Sequence, residues 1–172
     1  DIIVLDAGEY DLAEVINKSV TIMGPNADQP APANANPEAL IHVAKDVAGN
    51  LAAKNIVFNG VHLQGTGGGA GIPGISFQDG GSIENLTFKS CVISDTNTFL
   101  KFVNKESNLE LVLDNCHIYS IGQFILWTTG SINKTIVKGC LVEGSTCGAV
   151  TNAAAALFRV RNGSLEAYNN VF

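Results

Sequence analysis

Five stretches of this chain are near-copies of one another. Asn108–Tyr119 reads NLELVLDNCHIY. The same pattern returns upstream in Lys54–Leu63 (KNIVFNGVHL) and Asn85–Ile93 (NLTFKSCVI), and downstream in Lys134–Val142 (KTIVKGCLV) and Ser164–Phe172 (SLEAYNNVF). Recurrence at this spacing restricts a chain to stacked or radially repeated units. Within each copy large apolar residues alternate with polar ones. That period of two belongs to a strand with one buried face and not to a helix.

Two strand types alternate along the chain. One type begins at Val20, Ile56, Leu86, Leu111, Thr135 and Leu165, at steps of 36, 30, 25, 24 and 30 residues. A small or polar corner follows each: Gly24, Gly60, Ser90, Asn115, Gly139 and Asn169. Gly, Ser and Asn suit a bend with unusual dihedrals. From the second copy on, a further inward pair follows the corner, for example Cys91 and Ile93 or Cys116 and Ile118. The other strand type is read as Ile3-Val4-Leu5, Ile41-His42-Val43, Ile75-Ser76-Phe77, Leu100-Lys101-Phe102, Ile125-Leu126-Trp127 and Phe158-Arg159-Val160. Both series give a coil of about 25 residues with insertions. Leucine-rich and helical repeats lack this internal period, and propeller blades are longer. The reading that survives is an all-β, single-stranded parallel β-helix of about six rungs, each stacked on the last at ~4.8 Å. Residues 1–172 read as one β-helix domain and as a segment of a longer chain.

Three insertions lie between strands: Gly24–Glu38, rich in Pro, Asn and Ala; the Gly-rich Gln64–Gly74; and Gly144–Ala153. They read as loops from one corner of the rod. A net charge of −6 opposes nucleic-acid binding, which needs a basic face. No apolar run approaches the ~20 residues of a membrane-spanning helix. The 4 Cys have no CxxC spacing. Cys91, Cys116 and Cys140 form one inward column and read as packed free thiols, with Cys147 unpaired. His42, His62 and His117 fall on separate rungs and make no ligand set, so no metal site is expected. Lys89, Asp114 and Lys138 on adjacent rungs read as a cross-strand charge ladder. Val57, Thr87, Val112 and Ile136 read as outward strand formers. Asn-x-Ser/Thr sequons at Asn17, Asn85, Asn133 and Asn162 follow from turns that end in Asn before strands that begin with Ser or Thr.

With these features on the page, the chain resembles the right-handed parallel β-helix proteins of the pectin-lyase-like superfamily. The opening Ile2–Gly24, with its GxY and INKSVTI, is similar to the first coil of pectin methylesterases. The coils with FLKFVN and ALFRVRN look like uncharacterised pectate-lyase-like domains of surface proteins from gut Bacteroidetes. The resemblance implies an extracellular or cell-surface location. It does not carry over the best-known activities. Gln123 in QFILW stands where pectin methylesterases have their nucleophilic Asp, and an amide cannot replace a carboxylate nucleophile. The clustered Asp residues that hold calcium in pectate lyases and the Asp triads of polygalacturonases have no counterpart.

The expected function is therefore a non-catalytic surface module that binds or presents to carbohydrate. The candidate residues lie on the second strand type. One outward column reads His42, Ser76, Lys101, Leu126 and Arg159, and the next reads Ala44, Gln78, Val103, Thr128 and Arg161. Lys101, Arg159 and Arg161, with His42 and Gln78 beside them, would form a basic patch for an acidic polysaccharide, because Arg pairs bidentately with carboxylates. Two alternatives stand: a polysaccharide lyase or hydrolase with catalytic groups partly outside this segment, in which case calcium could serve, and an adhesin-like stalk. No other cofactor is expected. Strand edges at the ends invite end-to-end self-association.

Overall fold

Among the described residues of the computed structural model every strand pair is parallel and all regular structure is β. The structure describes residues 1–13, 16–29, 39–43, 47–48, 53–65, 73–78, 83–103, 107–143 and 157–172. For 47–48, 73–78, 103 and 107 it describes the backbone only. The chain is a parallel β-helix, in which three ladders run side by side.

The first ladder stacks Ile2–Val4, Val20–Met23, Asn55–Asn59, Asn85–Lys89, Ser107–Asp114, the end of the long strand His117–Lys138, and Ser164–Tyr168. Its register matches the repeat: Val20 pairs with Ile56, Ile56 with Leu86, Leu86 with Leu111, Leu111 with Thr135 and Thr135 with Leu165. The second ladder stacks Gly8–Leu12, Ala39–Val43, His62–Gly65, the start of Val92–Val103, the start of His117–Lys138, and Leu141–Glu143. The third joins Val47–Ala48, Pro73–Gln78, the end of Val92–Val103, the middle of His117–Lys138, and Phe158–Arg161.

Left-handed residues make the corners. Between the first and second ladders these are Gly60, Ser90, Asn115, Gly139 and Asn169, with φ from 52° to 69°. Gly24 is not among them. Its place is explained by closeness, because a Cβ there would collide with the backbone carbonyl of Gly60. Between the second and third ladders the bends are Asp95 and Ser120, with φ of 54° and 56°. Only a short polar side chain or Gly takes this conformation at little cost.

The core runs through the middle of the coils. Phe58 and Phe88 stack with centroids 5.2 Å apart, and Phe99 meets Phe88 edge-on at 5.1 Å. Leu86, Leu111, Leu113, Ile93 and Ile118 are wholly buried around them. Cys91, Cys116 and Cys140 are buried free thiols, each facing a backbone carbonyl one coil back: Phe58, Phe88 and Leu113. Burial holds the Cys116 thiol well above its ordinary pKa. Cys147 lies outside the described residues, as do most of the three insertions. At the two ends of the chain Ile2, Ile3, Val4, Leu165, Tyr168, Val171 and Phe172 are exposed.

The second strand type needs three corrections. Ile2–Val4 belongs to the first ladder, where Ile3 pairs with Ile22. Ile41-His42-Val43 belongs to the second, where Ile41 pairs with Leu63 and His42 with Gln64. In the third ladder Lys101 pairs with Trp127 and not with Leu126. An apolar–polar–apolar triplet looks the same on any ladder, so the pattern could not sort the first two. The third error has a local cause. Thr96 pairs with Ile121 but Thr98 pairs with Phe124, so one extra residue enters at Gly122–Gln123. A one-residue bulge moves every later side chain to the opposite face. Gly122 lies at this point, where a Cβ would meet the Asn97 amide oxygen.

Candidate functional site

The corrected register changes the composition of the outward column on the third ladder. Lys101 pairs with Trp127, and Trp127 pairs with Arg159. The side chains therefore run Lys101, Trp127, Arg159 on three successive strands, and Leu126 turns inward, wholly buried. Trp127 and Lys101 are half-buried, and Arg159 is exposed. The Lys101 Nζ sits 4.8 Å from the centroid of the Trp127 ring. A cation over an indole face is held by the ring quadrupole, at about 0.5–1 kcal/mol where exposed. Phe124 lies beside the indole, with centroids 6.3 Å apart and planes 30° apart. The row thus offers two cations with an aromatic platform between them.

The other expected residues are placed differently. Arg161 pairs with Ser131, because two further residues enter between Trp127 and Ser131. Its amide donates to Thr128 Oγ1 at 3.0 Å, and its guanidinium Nη1 reaches the Thr129 carbonyl at 3.5 Å. Arg161 stays near the row but is not a member of it. His42 lies on the second ladder, with Nε2 3.6 Å from Glu9. Gln78 pairs through its backbone with Val103, and its side chain lies outside the described residues. Lys89, Asp114 and Lys138 do stand in one row, with Asp114 paired to Lys89 on one side and to Lys138 on the other, but a single ion pair forms within it. Lys138 binds Asp114 at 2.9 Å, while Lys89 turns to Asp28 at 2.5 Å. Val57, Thr87, Val112 and Ile136 do form one half-buried row.

Sequence reasoning missed a second group, on the outer side of the second ladder. His62 Nε2 lies 2.7 Å from Ser94 Oγ, and Ser94 Oγ donates to Asp95 Oδ2 at 2.9 Å. The hydroxyl has one proton, so the imidazole donates to Ser94 through its Nε2–H. Gln64 Nε2 donates to the same Asp95 oxygen at 2.8 Å. Burial pushes the Asp95 carboxyl up, but hydrogen bonds from Gln64, Ser120 and Ser94 and the nearby His62 outweigh it and hold the pKa below the ordinary value. His62 is 4% exposed and Ser94 is 0% exposed. Burial lowers the His62 pKa to about 4; Asp95 opposes this, and His42 and His117 add to it. One coil beyond Ser94, Tyr119 lies against His117 with centroids 5.0 Å apart, and His117 Nε2 bonds Glu143 at 2.8 Å. His62 Nδ1 and Trp127 Nε1 are buried and find no hydrogen-bond partner among the described residues.

The two sites differ in what they can do. Ser94 is sealed, so its contact with His62 orients a polar network and cannot present a nucleophile to a polymer. The third-ladder row is partly exposed and carries both charge and an aromatic ring. Among the described residues no group of three or more His, Cys, Asp or Glu is placed to hold a metal ion. No known protein family, curated protein or solved structure matches the chain. Function therefore has to be read from the geometry. The one signal in the sequence for the missed Trp127 was Gly122 inside an otherwise apolar-alternating run, which marks a bulge.

Proposed function

We propose that this chain is a non-catalytic extracellular or cell-surface β-helix module, of the right-handed pectin-lyase-like kind, that binds acidic polysaccharide. The observation that carries the reading is the row Lys101–Trp127–Arg159 on adjacent strands. An aromatic face takes the apolar C–H face of a sugar ring, and flanking cations take its carboxylates. Arg offers a planar fork that matches a carboxylate with two hydrogen bonds. The acidic balance of the whole chain makes this basic row locally selective, because most of the surface repels a polyanion.

The test is to mix the protein with polyuronides and glycosaminoglycans, with and without calcium, and to follow both binding and the absorbance of unsaturated products. Binding without product is the expected result. Product formation would show a lyase, with Lys101 or Arg159 as base and charge neutraliser. Neither binding nor product across the panel would leave a structural stalk.

A further inference from the structure

We infer that the glycan taken by this row is one in which acidic and neutral sugars alternate, lying across the strands and along the axis of the β-helix. This rests on the reading above and adds a repeat pattern to it. Lys101 and Arg159 are each one strand away from Trp127, on opposite sides. Parallel strands lie ~4.8 Å apart, which sets the two cations about 10 Å apart at the backbone. An extended pyranose chain advances by a similar distance over two residues. A chain laid across the strands would therefore meet a cation, an aromatic face and a cation at successive sugars.

The strand that carries Trp127 supplies no charge of its own to the middle step. The described neighbours of Trp127 on its own strand are Ile125, Leu126, Thr128 and Thr129, and the buried Phe124 ring packs beside the indole from below. An indole face carries the negative lobe of the ring quadrupole, so it favours a sugar's C–H groups and disfavours a carboxylate. The sugar over Trp127 is accordingly neutral, and its two neighbours are acidic. The Lys101 ammonium already hovers over the ring at 4.8 Å. A ligand carboxylate draws it off the ring and exchanges a weak cation–π contact for a charge-assisted hydrogen bond.

The experiment is calorimetric titration with three hexasaccharides: an unsulfated alternating uronate–hexosamine, a homopolyuronide, and the alternating one with its carboxyls reduced. The alternating acid should bind at least tenfold tighter than either of the others. Trp127→Ala should remove the preference over the homopolyuronide, Trp127→Phe should retain most of it, and Arg159→Gln should weaken both acids alike. Circular dichroism of each variant separates loss of fold from loss of binding. Equal or tighter binding of the homopolyuronide overturns the alternation and leaves acidic-glycan binding standing. Binding that follows only total charge, with inorganic polyphosphate as effective as sugar, overturns the inference. Binding of none of the acids overturns both it and the reading it rests on.

Discussion

Acid should unfold this protein through His62 before its carboxylates are exhausted. The imidazole is 4% exposed and is held with a pKa of about 4, against 6.5 when unfolded. The folded state therefore favours the neutral ring. Above pH 6.5 both states hold it neutral and no penalty exists. As pH falls from 6.5 to 4 the unfolded chain takes up a proton that the folded one refuses, so stability declines by about 1.4 kcal/mol per unit. Below pH 4 the full loss, about 3 kcal/mol, is in place. Asp95, whose pKa is lowered in the fold, adds loss of the same sign as pH falls further through that folded value. The assay is urea unfolding at pH 7.5 and pH 4 for the wild type and for His62→Gln, whose amide can still donate to Ser94 Oγ but cannot titrate. The variant should lose about 3 kcal/mol less between the two conditions. The same pH loss in both proteins would show that His62 is not buried as a neutral donor, and would refute the network drawn around Ser94.

Other perturbations probe the rest of the fold. Asn115 sits at φ 53°, so Asn115→Ala should cost about 1 kcal/mol, and Asn115→Gly should fold at least as well as Asn115→Ala, both read by thermal melting. Phe88 is wholly buried between Phe58 and Phe99, and Phe88→Ala should cost about 3–5 kcal/mol in urea unfolding; a loss below about 1 kcal/mol would contradict the core described. Cys91, Cys116 and Cys140 should resist a thiol reagent in the native protein and react with it in denaturant, with intact mass showing no disulfide.

How much of this was legible beforehand depended on which physical signal each residue carried. From Val20 onward the first ladder was read residue by residue, because Val20, Ile56, Leu86, Leu111, Thr135 and Leu165 each precede a corner residue that marks the same bend. That corner gave an absolute position within the coil. The second strand type had no such marker. Ile41-His42-Val43 and Ile75-Ser76-Phe77 share a period of two and differ only in which ladder they join, which tertiary pairing decides. His42 was placed beside Lys101 for that reason, and the structure moves it to the second ladder. The candidate site turned on one residue. Counting strictly by repeat put Leu126 between Lys101 and Arg159, where it broke the patch. The bulge at Gly122–Gln123 replaces it with Trp127 and makes the patch coherent. The polar group around Ser94 was hidden for a different reason. Ser94 and Asp95 look like ordinary turn residues, and nothing local shows that His62, one coil earlier, is aimed at them.

The central claim is that Trp127, half-buried between two cations, receives an acidic sugar chain. The chain has one Trp, so its fluorescence reports on this position alone. The direct measurement is Trp emission during titration with an acidic glycan, for wild type, Lys101→Gln and Arg159→Gln. A saturable change in emission that weakens by tenfold or more in both variants, and fades with added salt, is what the row predicts. An emission that glycan leaves unaltered while binding is detected by calorimetry would place the ligand elsewhere and contradict the account.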